Sequence, residues 1–133
     1  MVEVTAYVET EINPSENEDK VKVAVNNVLA NATITIKPSV KGSTLTALAK
    51  GQAALFRLRN LLRNDRIRDA SRKLFFKSIR GNTITFYLNK QVAYAGHVSF
   101  SEKTGESPLG PLRVTIETDN PQQLIEWLAE RTD

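Results

Sequence analysis

The sequence lacks cysteine and has one histidine, His97, among its 133 residues. Disulfides, thiolate metal sites and cysteine nucleophiles are therefore excluded, as is any metal site built from several histidines. No apolar run approaches the length of a membrane span. The N-terminus alternates in polarity and has no apolar signal-peptide core. We therefore expect a cytoplasmic protein with no membrane partner.

The overall composition is ordinary for a globular protein, with 41% hydrophobic and 25% charged residues. A chain of this length can bury one hydrophobic core. No repeat, linker or low-complexity tract interrupts it. Residues 1–133 are therefore predicted to form a single domain.

Positive charge is concentrated in one stretch, residues 50–80. Ten of these residues are basic, and two, Asp65 and Asp69, are acidic, which is a balance of +8. The whole chain carries +3, so the remainder sums to −5. Segregated positive charge is typical of surfaces that bind nucleic acid, although charge runs often serve solubility alone.

Alternating polarity predicts five strands. They lie at residues 2–9, 32–37, 83–88, 97–100 and 112–117. Helical spacing predicts one helix after the turn at Asn13, with Ser15 and Glu18 as its capping box. It predicts a final helix that Asn120 caps, with Pro121 in its first position.

The longest helical pattern covers residues 42–80, with Ser43 or Thr44 as its N-cap. The leucines keep one face as far as Arg63, and the apolar residues resume in a different phase at Ile67. A break near residues 64–65 is therefore predicted to divide this stretch into two helices. A short helical turn is predicted within residues 89–96.

The predicted order is β-α-β-α-α-β-β-β-α, and each strand has one apolar face. The fold class is therefore α+β: a two-layer sandwich, with a mainly antiparallel sheet and helices on one face. The other face carries Tyr7 and Tyr87, and exposed tyrosines can stack RNA bases. Glutamates on the same face disfavour phosphate, so homodimer packing or cross-strand pairing explains the tyrosines better.

Three sequence blocks resemble a small archaeal family of uncharacterised proteins. They are LRNLLRNDRIRDASRKLF at residues 58–75, NKQVA at 89–93 and SPLGPLRVTIET at 107–118. The resemblance covers nearly the whole chain. It implies the fold of the large-subunit ribosomal protein that binds five-S ribosomal RNA, and RNA binding by analogy. It implies no established activity and no catalytic residues.

The basic stretch is the first candidate site. On one straight helix some of its cations would form a stripe on the side away from the leucines: Lys50, Arg57, Arg68 and Arg72. The others would flank the apolar face and extend outward from it. We predict that eight of them contact RNA backbone phosphate: Lys50, Arg57, Arg59, Arg63, Arg66, Arg68, Arg72 and Lys73. The alternative is a solvated helix face whose charge is partly paired with acidic residues elsewhere.

Weaker candidates lie outside that stretch. Lys41, Gly42, Ser43 and Thr44 are predicted between a strand and a helix start, where backbone N–H groups bind anions. An ordinary helix cap explains them better, because the spacing of a nucleotide-binding phosphate loop is absent. The segment 107–111 is either a rigid turn or a binding loop.

The polar block 89–91 either binds a ligand or caps a turn. His97 has no orienting carboxylate nearby in the sequence, which makes it a poor general base. The alternative, a carboxylate that approaches His97 only in the folded chain, such as Glu102, is left open.

The leading hypothesis is a non-catalytic RNA-binding protein without a cofactor or a metal. The alternative is a homodimeric interaction module with no nucleic-acid ligand, paired through the open sheet face or an edge strand. An unrecognised enzyme is a third hypothesis, with only the segments 40–44 and 89–91 to support it.

Overall fold

A computed structural model describes residues 3–40, 42–101 and 110–131. The elements follow one another as β1 (Val4–Ile12), α1 (Glu18–Val28), β2 (Thr33–Ser39), β3 (Gly42–Lys50), a 3-10 helix (Gln52–Leu55), α2 (Phe56–Asn64), α3 (Arg68–Lys77), β4 (Ile79–Arg80), β5 (Thr83–Asn89), α4 (Lys90–Tyr94), β6 (Phe100–Ser101), β7 (Pro111–Thr118) and α5 (Pro121–Leu128).

The strands of the described residues form one seven-stranded antiparallel sheet. Its order is β2-β3-β1-β7-β5-β4, and β6 pairs with β5 on the same side as β4. The first strand of the chain is central: Ala6 pairs with Ala49 of β3 and with Ile116 of β7. The sheet is therefore assembled from strands that are distant in the sequence.

One face of this sheet is buried under the helices. Alternate residues of each central strand are buried, and they form one cluster with Leu58 and Leu62 of α2. Phe75 of α3 packs against Phe86 and Phe100, with ring centroids 4.8 and 5.8 Å away. The predicted α+β fold, with two layers and a mainly antiparallel sheet, is confirmed.

The stretch 42–80 was wrongly predicted to begin as a helix at Ser43 or Thr44. Residues 42–50 form β3, which pairs with both β1 and β2. Leu45, Ala47 and Ala49 fit the two-residue period of a strand, and the same apolar segment also fits a helical spacing. A short apolar run does not distinguish a strand from a helix. A side chain at Gly42 would place its Cβ 2.3 Å from the Ile12 carbonyl oxygen, so the position requires glycine.

The predicted break in this stretch is confirmed. Helix α2 ends at Asn64 and α3 begins at Arg68. Between them Arg66 has a positive φ of 58°, a conformation that stops a helix. The basic surface is therefore bent at this junction.

Two local predictions were wrong by a few residues. Asn17, not Ser15, caps α1, because its side chain accepts the N–H groups of Asp19 and Lys20. The strand predicted at 97–100 is reduced to β6, which pairs with residues 87–88 of β5, and Asp65 accepts the backbone N–H of Val98 just before it. The predicted caps of α5, Asn120 and Pro121, are confirmed.

None of the helices in the described ranges has the length and hydrophobicity that crossing a membrane requires.

Candidate nucleic-acid interface

The two basic helices bury their apolar residues and direct most of their cations outward. Leu58 and Leu62 of α2 and Phe75 of α3 are fully buried. The intervening arginines and lysines are half-buried or exposed. Amphipathic spacing therefore places the charge on the outer side of the helical layer.

Three of the eight predicted cations are paired with carboxylates of α5 and the residues after it. Arg59 contacts Glu130 at 3.0 Å, and Arg63 contacts the same carboxylate at 4.0 Å. Arg72 binds both carboxylate oxygens of Glu126. These hydrogen bonds hold the pKa of Glu126 below its usual value. Part of the basic charge is therefore neutralised within the chain.

Two of these arginines are also held by aromatic rings. The Arg59 guanidinium lies 5.2 Å from the ring centre of Trp127, and its Nε donates to the Trp127 carbonyl at 2.9 Å. Arg72 lies 5.1 Å from the ring centre of Phe76. Their side chains are 18% and 14% exposed, so they act first as links between helices.

Four other predicted cations form no ion pair within the described part of the chain: Arg57, Arg66, Arg68 and Lys73. Arg57 donates to the Asn26 carbonyl at 2.6 Å and stays exposed. Arg66 and Arg68 lie at the junction of α2 and α3, and Lys73 is exposed on α3. No carboxylate of the described residues neutralises the charge of these four cations.

The structure separates Lys50 from the helical cations. It is the last residue of β3 and pairs with Thr5. Leu45, Ala47 and Ala49 face the core, so strand alternation directs Lys50 to the opposite face. The prediction that it belongs to one stripe with Arg57 depended on a helix that is not formed there.

The anion site predicted at residues 41–44 depended on a helix N-terminus, and the described part of this segment is a strand instead. Gly42, Ser43 and Thr44 lie in β3, so no helix begins at them, and Lys41 is outside the described residues. The Thr44 hydroxyl donates to the Glu11 carboxylate at 3.1 Å. A carboxylate at this place repels an anion.

Asn89 and Lys90 have structural partners. The Asn89 side chain caps α4 by accepting the Val92 N–H at 3.0 Å. Lys90 is only 4% exposed, and its ammonium donates to Glu16 at 3.0 Å and to the Glu11 carbonyl at 2.6 Å. Burial acts to raise the pKa of Glu16, but hydrogen bonds from Asn13 and Lys90 outweigh it and lower that pKa.

His97 has a spatial carboxylate partner that sequence reasoning missed. Its Nδ1 lies 2.9 Å from Asp65, which also accepts the Val98 N–H at 2.8 Å. The hydrogen bond with His97 is the main reason that the pKa of Asp65 lies below its ordinary value. The contact ties the α2–α3 junction to the segment after α4. Glu102 and most of the 107–111 segment are outside the described residues.

No group of three or more histidine, aspartate or glutamate side chains in the described ranges could hold a metal ion.

Comparison with known proteins gives consistent results. A family model described as RNA binding matches residues 5–118. The UPF0201 protein of Sulfurisphaera tokodaii is 42% identical over 125 residues, which are 94% of this chain and 86% of that protein. The UPF0201 protein of Pyrobaculum islandicum is 42% identical over 123 residues, which are 92% of this chain and 86% of that protein.

A solved structure shows the same fold. The crystal structure of the UPF0201 protein from Methanococcus jannaschii has a TM-score of 0.85 and 29% identity, over 97% of this chain and 95% of that one. The expected resemblance to an archaeal uncharacterised family is thus confirmed. The further likeness to a ribosomal protein is not addressed by these findings and stays a prediction.

Proposed function

The chain belongs to the UPF0201 family of archaeal proteins, and on this premise we propose that it is a non-catalytic RNA-binding protein. The observation that carries the proposal is the set of cations without a carboxylate partner around the α2–α3 junction. The family model described as RNA binding spans both of these helices. Backbone phosphate is the matching ligand, because it supplies closely spaced negative charge.

The bend between the helices decides which cations can act together. Arg66 and Arg68 flank the start of α3, and Lys73 follows on its exposed side. Arg59 and Arg72 contribute less because their charge is engaged by Glu130, which follows α5, and by Glu126 of α5. We therefore assign the phosphate contacts chiefly to Arg66, Arg68 and Lys73.

Replacing Arg66, Arg68 and Lys73 together by glutamine tests this assignment. Filter binding of single-stranded RNA over a range of salt concentrations measures both affinity and the number of phosphates engaged. Each lost phosphate contact should reduce the slope of log affinity against log salt by about 0.7, so the triple variant should lose roughly 2. Its affinity at low salt should fall by at least about tenfold.

The matched control removes the same charge elsewhere, with Lys20, Lys22 and Lys37 replaced by glutamine. These residues lie on α1 and β2. The control should keep nearly the wild-type slope. Absence of wild-type binding at low salt contradicts the function, and equal losses in the two triple variants contradict the assigned surface.

The alternative function is an interaction module that pairs with a second copy through the open sheet face. That face is formed largely by threonines at half-buried or exposed positions. They are Thr5, Thr33, Thr35, Thr44, Thr46, Thr83, Thr85 and Thr115. Pairing through edge strand β2 is disfavoured, because Pro38 has no N–H and Lys37 is exposed. The mass of the free protein in solution distinguishes the two functions: a dimer is expected for this alternative, and a monomer for an RNA-binding protein that acts as a single copy.

A further inference from the structure

A groove lies where the end of α3 meets the edge of the sheet. It has a volume of about 420 Å³, within the range of small-ligand sites. Its lining consists of Leu74, Lys77, Ser78, Arg80, Thr85 and Tyr87. The eight cations predicted from the sequence include neither Lys77 nor Arg80.

The charge of this groove differs from that of three other clefts on the described surface. Each of those clefts has at least one carboxylate in its lining. The first has Glu16, the second has Glu3, Glu117 and Asp119, and the third has Glu9 and Glu11. The groove beside α3 has two cations and no carboxylate in its lining. Neither cation forms an ion pair within the described residues.

The Arg80 guanidinium is fixed by the backbone beside the end of α3. Arg80 donates to the carbonyls of Lys77 and Ile79 at 3.2 and 2.8 Å. These bonds hold the guanidinium next to the backbone of Lys77, the last residue of α3, and both residues line the groove. Such a pair of donors suits a phosphate group.

The sheet edge within this groove is open at one residue. Strand β4 pairs with residues 83–84 of β5, and β6 pairs with residues 87–88. Hydrogen-bonding direction alternates along a strand, and Asn89 donates its N–H to Ser99 on this side. The N–H and C=O of Thr85 therefore point into the gap, where no strand of the described residues pairs with them.

Tyr87 supplies an aromatic ring at the same place. It is half-buried, and its cross-strand neighbour is Arg113. Tyr7 lies on the same sheet face, but its neighbours are Leu48 and Thr115, and it lines none of these four clefts. The two tyrosines, equivalent in the sequence, thus have different surroundings.

We propose that this groove binds one unpaired nucleotide of single-stranded RNA. The base stacks on the Tyr87 ring, the base edge hydrogen-bonds to the backbone of Thr85, and a phosphate contacts Lys77 and Arg80. The bases of an A-form duplex are paired and stacked, so a duplex cannot present one to the ring. The inference rests on the proposed RNA binding and narrows its ligand to single strands.

Fluorescence anisotropy with a labelled single-stranded RNA 10-mer and a duplex of the same composition tests the groove. Tyr87→Leu keeps a residue that suits a strand but removes the stacking ring. It should weaken single-strand binding by about tenfold, leave duplex binding unchanged and preserve the salt slope. Tyr7→Leu, the matched control, should stay within about twofold of wild type.

A second variant covers the case in which Tyr87→Leu does not fold. Lys77→Gln changes an exposed side chain near the helix end and should reduce the single-strand salt slope by about 0.7. Uridine and adenosine monophosphates, tested as competitors, should bind far more weakly than the 10-mer. A mononucleotide that binds as tightly as the 10-mer would overturn the assignment to RNA.

The remaining outcomes distinguish a failure of the groove proposal from a failure of the proposed RNA binding. Absence of wild-type binding at low salt overturns both. The groove proposal alone is contradicted if Tyr87→Leu binds RNA as well as Tyr7→Leu does. The proposed function still stands in that case, provided that the wild type binds RNA and the Arg66, Arg68 and Lys73 triple variant binds it more weakly. An unchanged salt slope in Lys77→Gln likewise overturns the groove.

Discussion

Lys90 lies almost wholly out of solvent, with its ammonium bonded to Glu16 and to the Glu11 carbonyl. A lysine beside two amide side chains in the sequence suggests an exposed polar block. The fold instead uses this lysine to join β1, the turn before α1 and the start of α4. The charge is tolerated because buried ionic groups are stable when each is paired and hydrogen-bonded.

Lys90→Met should destabilise the protein by about 3 kcal/mol, because the variant leaves Glu16 buried without its cation. Urea denaturation followed by circular dichroism measures the free energy of unfolding. Lys20→Met, on the same cleft but exposed, is the control and should change it by less than about 0.5 kcal/mol. Equal losses in the two variants would show that the buried pair contributes nothing specific.

At the scale of elements, α5 and the residues after it decide how much basic charge reaches the surface. Glu126 and Glu130 pair with arginines of α2 and α3. The sequence shows the acidic remainder of the chain but not which carboxylates oppose which arginines. Helix packing brings together residues that are 54 and 71 positions apart. Three of the eight cations predicted to bind RNA are therefore engaged by carboxylates of the chain itself.

Replacing Glu126 and Glu130 by glutamine should release these arginines toward RNA. The proposed function then predicts an affinity several-fold higher than wild type and a salt slope steeper by about 1. Stability should change little, since exposed ion pairs contribute little. Filter binding and thermal denaturation measure the two effects.

A control variant for this prediction carries Glu3→Gln and Glu117→Gln, which remove the same charge from exposed positions at the sheet. It should raise affinity only slightly through long-range electrostatics. An equal gain from both double variants would mean that net charge, not the release of particular arginines, governs binding.

On the scale of the whole molecule, the two faces have different characters. The helical layer carries the basic junction, and the opposite sheet face carries threonines, two tyrosines and a mixture of charges. An uncharged, half-buried centre of a sheet face is a surface on which a second copy can pack. Oligomeric state is therefore the property that distinguishes the two candidate functions.

If the open face pairs two copies, light scattering at high concentration should give about twice the 14.8 kDa mass of the chain. Thr115→Lys, beside Tyr7 at the centre of the face, should then restore the monomer, because it buries an unpaired charge in the contact. Gln122→Lys, at an exposed position of α5 in the helical layer, is the control and should leave the dimer intact. A monomeric wild type at high concentration contradicts the alternative.

The sequence by itself determined the features that depend on local periodicity and capping. The alternation in β1, β5 and β7, the break before α3 and the caps of α5 were predictable, because each is encoded by neighbouring residues. The prediction failed at β3, where the local pattern satisfied both a helix and a strand. Pairing with β1 and β2 decided that segment in favour of a strand.

Only the tertiary structure decided which charges oppose one another. Side chains distant in the sequence form the contacts of Arg72 with Glu126 and of His97 with Asp65, and no local pattern encodes them. The turn from α3 into the β4–β5 hairpin placed Lys77 and Arg80 in one groove with Tyr87. The location of the positive charge was therefore predictable, whereas its availability to a ligand depended on the fold.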